Sequence, residues 1–189
     1  MSSTEALERL SEGNSRFVKD KLEHKKQNSE RRAQLSAGQH PFAIVLSCAD
    51  SRVIPEITFD TGLGELFVVR VAGNVANTSS IASIEYAVAN LGTKLIVVMG
   101  HQSCGAVGAA IAGGDAGPNL NKLVSYISPS VEKLGKEASM DSIIKENANH
   151  SAATLKSKSQ IIADAVNSGE VEIVSAYYSL ETGAVEFNV

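Results

Sequence analysis

The spacing of hydrophobic positions changes as the chain proceeds. Near the N-terminus Leu7, Leu10, Phe17 and Val18 recur at helical intervals, and Ser2 with Glu5 fits a capping box. Roughly the first twenty residues therefore read as an amphipathic helix. A second short helix is predicted from Ser29 to Leu35, stopping at Ala37-Gly38, where glycine suits a helix end. Both precede any strand. They read as an arm over residues 1–38 that packs against another surface, a second subunit among the candidates.

From Phe42 the period disappears into continuous apolar runs of strand length. Phe42 to Leu46, Glu65 to Val71 and Lys94 to Met99 are such runs, as expected for strands covered on both faces. Between the second and third, Thr78 to Leu91 carries Ile81, Ile84, Tyr86 and Val88 as a helix. The small-residue stretch Gly105 to Gly114 suggests a helix packed tightly on the sheet, and Asp115 to Asn119 reads as a loop. Helical patterns follow around Leu120 to Leu134 and Ile143 to Val166. Val171 to Tyr178 and Ala184 to Phe187 then suggest a closing hairpin across Glu181-Thr-Gly183. Strands that alternate with helices imply parallel pairing through right-handed crossovers. The expected fold is α/β: a central, mainly parallel sheet flanked by helices, with an N-terminal helical arm and a C-terminal strand pair. One domain over residues 1–189 is expected, with its α/β core at 39–189.

Composition narrows the function. A chain of 189 residues with 43% hydrophobic content can bury one sizeable core. A net charge of -4 argues against nucleic-acid binding, which needs clustered positive charge. The basic stretch from Lys19 to Arg32 is interrupted by Asp20, Glu23 and Glu30, and so reads as a solvated face or loop. There is neither an uninterrupted apolar stretch of membrane-spanning length nor a basic segment leading into an apolar run at the N-terminus. The expectation is a soluble, cytoplasmic protein with no membrane partner. Retained thiols in that setting favour metal binding over a disulfide.

The chemistry concentrates in two short segments, Cys48-Ala-Asp-Ser-Arg52 and His101-Gln-Ser-Cys104, which hold both cysteines of the chain. Each follows a predicted strand, at the carboxyl ends where ligands gather in such sheets. Two thiolates and an imidazole are a zinc ligand set that leaves a fourth tetrahedral position open. Paired knuckles of the zinc-finger kind are absent, so the metal would be fixed by a rigid sheet and accessible from one side. The alternative is that Cys48 and Cys104 are small buried hydrophobes and His101 a satisfied polar residue.

Cys-x-Asp-x-Arg at Cys48, Asp50 and Arg52, followed by His-x-x-Cys at His101 and Cys104, resembles the β-class carbonic anhydrases. Ser47 to Val53, Gly64 to Arg70 and Ile84 to Val88 extend the likeness, which is strong over Gln39 to Gly114. The resemblance implies reversible hydration of carbon dioxide to bicarbonate and a proton by zinc-bound hydroxide, with Cys48, His101 and Cys104 as ligands of Zn²⁺. It implies that Arg52 holds Asp50 off the metal and that Asp50, once released, becomes a fourth ligand in a closed state. It assigns Gln39, Phe67, Ala72 and Tyr86 to the substrate pocket. Ala72 stands where plant-type members often have valine, and Phe67 and Tyr86 taken alone would more often be core residues. The resemblance also places the pocket at the interface of a homodimer or dimer-based oligomer. Members with a bicarbonate-regulated closed state carry tryptophan three residues before the first cysteine. Val45 stands there, so that control is expected to be absent although Arg70 matches its arginine. Hydrolysis of carbon disulfide or carbonyl sulfide on the same scaffold, and a non-catalytic zinc-stabilised regulatory module, are the alternatives.

Overall fold

The computed structural model describes all residues from 1 to 189. Its strands are β1 (Ala43–Ser47), β2 (Leu66–Arg70), β3 (Leu95–His101), β4 (Glu172–Tyr178) and β5 (Val185–Phe187). They form a single sheet in the order β2-β1-β3-β4-β5, parallel except for β5, which returns antiparallel on β4. β1 and β3 are buried along their whole length. Burial on both faces is why their sequences are unbroken apolar runs and not alternating ones. Ala43, Val45, Leu95 and Val97 pack on one face, while Ile44, Leu46, Ile96 and Val98 pack on the other.

The helices are α1 (Ser3–Val18), α2 (Ser29–Gln34), α3 (Pro55–Thr58), α4 (Thr78–Leu91), α5 (Gly105–Ala112), α6 (Pro118–Val124), α7 (Ser128–Leu134), α8 (Met140–Lys158) and α9 (Gln160–Asn167). Ser2 and Glu5 close the expected capping box of α1. α1 belongs to the core of its own chain: Ala6 and Leu10 are buried against Val45, Phe59 and Met99. The opposite face is covered by α4, α8 and α9 through Ile84, Ala87, Ala148, Leu155 and Ile162. A third cluster caps the carboxyl ends of the strands and includes Val75, Val107, Ile127, Ile143 and Ile144.

The helical pattern expected over Leu120 to Leu134 is two helices. Pro129 cannot continue α6, because its ring would meet the carbonyl four residues back, and it opens α7 instead. Pro118 likewise sits in the first turn of α6, so the segment expected as a loop ends before Asn119. The pattern over Ile143 to Val166 starts earlier, at Met140, and breaks at Ser159. That residue is extended (φ -126°, ψ 116°), and its hydroxyl caps α9 by accepting from the N–H of Ile162 at 3.1 Å. The four-residue α3 was not expected. His101 closes β3, paired with Tyr178, and does not lie beyond the strand.

Two buried carboxylates fasten α1 to the segment before β2. Glu65 accepts from Lys26 Nζ at 2.5 Å, from the N–H of Gly62 at 2.8 Å and from Arg9. Asp60 accepts from Arg16 Nε at 2.5 Å and from the N–H of Glu23 at 3.0 Å. Burial raises both acids, but these donors outweigh it and hold each below the ordinary carboxylate range. A depressed folded pKa means stability that is fully present above the unfolded value, roughly pH 4. That stability is lost as pH falls through the folded value. Glu65→Gln is expected to cost about 1–3 kcal/mol at neutral pH. Urea denaturation should show that deficit shrinking as the wild-type acid protonates.

Candidate metal centre

Strand register brings the two chemical segments together. Ser47 pairs with Met99 across β1 and β3, so Cys48 and His101 emerge side by side at the carboxyl end of the sheet. At Gly100 an added Cβ would lie 2.8 Å from Ile144 Cγ2 on α8, so glycine permits close packing beneath the site. Ser103, in the left-handed region at φ 56°, turns the chain back, and Cys104 caps α5. The two sulfurs and an imidazole nitrogen lie within 4.8 Å of one another, and all three residues are buried.

The protonation pattern suits a metal. His101 Nδ1 lies 2.9 Å from the carbonyl oxygen of Gln102, an acceptor only, so Nδ1 carries the proton. Nε2 is then a lone pair, and it is buried without any partner. Such an atom is costly unless something fills the site. Cys104 donates to Cys48 and, against burial, holds the Cys48 thiol well below the usual thiol range. The N–H groups of Gly73 and Asp50 assist. Sharing that proton and burial push the Cys104 thiol upward. A thiolate, a thiol that metal binding would deprotonate, and a neutral imidazole are the soft donors that fit zinc.

Asp50 and Arg52 stand beside this cluster. Arg52 grips both carboxylate oxygens, Nε to Oδ1 at 2.9 Å and Nη2 to Oδ2 at 2.7 Å, and its own N–H adds a third bond at 3.0 Å. Asp50 Oδ2 lies 3.9 Å from His101 Nε2, so the held carboxylate faces the cluster without closing on it. The guanidinium keeps the Asp50 carboxyl well below the usual carboxylate range. Arg70, on β2, donates to the carbonyls of Cys48 at 3.0 Å and Asp50 at 2.7 Å, fixing the backbone between them. Val45 is fully buried within β1.

The four expected pocket residues are placed differently. Ala72 is half-buried beside Gly73, whose N–H points to Cys48 Sγ at 3.3 Å. Phe67 on β2 and Tyr86 on α4 meet each other, ring centroids 6.3 Å apart, and Tyr86 is 49% exposed. Gln39 is exposed just before β1. Within one chain none of these side chains is hydrogen-bonded to the thiol and imidazole cluster. A cavity of about 680 Å³ between α4 and α8 includes no residue of that cluster. Sequence reading missed Gly73, Asn147 and Gln102, which act through backbone contacts. A lone glycine directly after a predicted strand was the one available signal.

Fold and donor set together define an α/β metalloenzyme scaffold with a Cys₂His centre open on one side. Residues 43–185 match the carbonic anhydrase family model. "Carbonic anhydrase 2" of Mycobacterium tuberculosis is 42% identical over 185 residues, covering 94% of this chain and 89% of that protein. The carbonic anhydrase of Mycolicibacterium smegmatis is 43% identical over 188 residues, covering 96% and 91%. The Coccomyxa β-carbonic anhydrase, solved in complex with acetazolamide, has a TM-score of 0.77 at 25% identity, covering 93% of this chain and 82% of that one. The β-carbonic anhydrase CcaA has a TM-score of 0.75 at 25% identity, covering 96% and 86%. The chain belongs to the carbonic anhydrase family, in its β class, and is an enzyme of that family. Enzymes of this class use zinc, and Cys48, His101 and Cys104 form a cluster that can hold it.

Metal analysis of protein exchanged into zinc and desalted should find one zinc per chain. Cys48→Ser, His101→Ala and Cys104→Ser should each reduce it to trace while the fold persists by circular dichroism. Retention of full zinc in any of the three would remove that residue from the ligand set.

Proposed function

We propose that this protein reversibly hydrates carbon dioxide to bicarbonate and a proton, with zinc held by Cys48, His101 and Cys104. The observation that carries the reading is the buried, partnerless Nε2 of His101 converging with two sulfurs beside a carboxylate that Arg52 holds aside. When bound, zinc makes water acidic enough to supply a nucleophile near neutral pH. Two thiolates donate more charge than imidazoles would, so that acidity is expected to be modest and activity to rise toward alkaline pH.

The chain's own residues supply orientation. Arg52, by its bidentate grip, keeps Asp50 ionised and aimed at the open side of the cluster. There the carboxylate accepts one hydrogen bond from a reacting hydroxyl and so fixes its direction. Gln39, Phe67, Ala72 and Tyr86 are proposed to form the carbon dioxide and bicarbonate pocket, completed by a second copy of the chain. Support comes from the exposure of Gln39 and of Tyr86, at 49%, and from the contact of Tyr86 with the half-buried Phe67. β2 is also an open sheet edge. The β-carbonic anhydrases of Sordaria macrospora are described as tetrameric, at 22% identity and a TM-score of 0.75. No helix is long and apolar enough to cross a membrane, and both cysteines are free, which supports a reducing, cytoplasmic setting.

Stopped-flow carbon dioxide hydration on the zinc-loaded enzyme tests the reading. The rate should rise toward alkaline pH, and a flat profile down through mildly acid pH would count against Asp50 and Arg52 as the controlling pair. Asp50→Asn should keep zinc and lose about 10–100-fold in kcat/KM. Full activity in that variant would remove Asp50 from the mechanism. Turnover of carbon disulfide or carbonyl sulfide without hydration of carbon dioxide would overturn the substrate assignment.

A further inference from the structure

Behind the cluster, away from Asp50 and Arg52, the turn Ala72 to Asn74 approaches Cys48 closely. Gly73 there is left-handed (φ 71°), and its N–H lies 3.3 Å from Cys48 Sγ. A Cβ at this position would meet Ile127 Cδ1 at 2.7 Å and Ala106 Cβ at 3.2 Å, so only glycine brings a backbone donor onto the sulfur. The same lack of a side chain leaves the peptide free to rotate, and something must hold it. The turn is pinned before and after by Val71 N–H to the Ser47 carbonyl at 3.1 Å and Asn74 N–H to the Val71 carbonyl at 2.9 Å. The Gly73 carbonyl itself accepts from Nδ2 of Asn147 at 2.8 Å.

Asn147 is an unusual residue for its place. It lies in α8 with no exposed surface, and its Oδ1 has no partner. A buried amide satisfied on one side is costly, so packing alone does not account for it. Its single side-chain hydrogen bond goes to Gly73, whose N–H meets the sulfur of the proposed metal ligand Cys48.

We propose that Asn147 is a positioning residue: by fixing the Gly73 peptide it maintains the N–H···S bond that draws charge from the Cys48 thiolate and so sets the strength of the metal centre. The inference rests on Cys48, His101 and Cys104 holding a metal. A hydrogen bond to a ligating sulfur lowers the charge it donates, which leaves the metal a stronger Lewis acid. Without Asn147 the Gly73 peptide can rotate, and Cys48 would donate more fully.

The test uses the full chain loaded with Co²⁺, whose sulfur-to-metal charge-transfer band reports directly on thiolate charge. Asn147→Leu removes the donor and fills its space; Asn147→Ala removes the donor and leaves the space open. In either variant that folds by circular dichroism, the band should move to longer wavelength. The alkaline limb of carbon dioxide hydration should move to higher pH. A folded, cobalt-loaded variant with the wild-type band would overturn the proposal. Wild-type protein that takes up no cobalt and shows no such band would overturn the metal reading, and this inference with it.

Discussion

The structure depends on one constraint: β1 and β3 are adjacent, parallel and in a register that pairs Ser47, the last residue of β1, with Met99, so that Cys48 leaves the sheet beside the last residues of β3. Parallel strands send their next residues out of the sheet on the same side, so two segments far apart in sequence become neighbours without any contact of their own to join them. Both strands are wholly buried, and a slip by one residue would turn Val45 and Val97 from one apolar layer into the other. The core therefore fixes where Cys48 and His101 stand. Cys104 follows from the left-handed turn at Ser103.

That placement puts soft donors into an apolar surround. Cys48 and Cys104 share a cluster with Val75, Val107, Ile127 and Ile143, and the exposed part of the centre lies toward Asp50 and Arg52. Low polarity on the buried side makes an unpaired imidazole nitrogen costly, and it makes each hydrogen bond to sulfur count for more. The Asp50 and Arg52 pair is different in kind. Arg52 is more than half exposed, so the pair adds little stability, and its value is the direction it gives to one carboxylate. Two supports thus act on the same centre, a side-chain pair in front and a backbone turn behind.

Much of this was readable in the residues. The apolar runs of β1 and β3 announce strands because nothing polar is needed on either face, and Ser2 with Glu5 announces the start of α1 because capping is local. The donors were readable because thiol and imidazole chemistry is carried by residue type. What escaped was whatever depends on backbone or on distant partners. Ser159 breaks a continuous helical pattern by adopting an extended conformation that its own cap to α9 rewards. Glu65 joins Arg9 and Lys26 only after folding, which ties α1 to the segment before β2. Asn147 looks like any polar helical residue until its amide is seen on Gly73.

The central claim is that Cys48, His101 and Cys104 form one metal centre. X-ray absorption at the zinc edge of the loaded enzyme tests it most directly. The account predicts two sulfur scatterers at about 2.3 Å and two nitrogen or oxygen scatterers at about 2.0–2.1 Å, one with the outer-shell pattern of imidazole. Fewer than two sulfurs, or no imidazole signature, would contradict it.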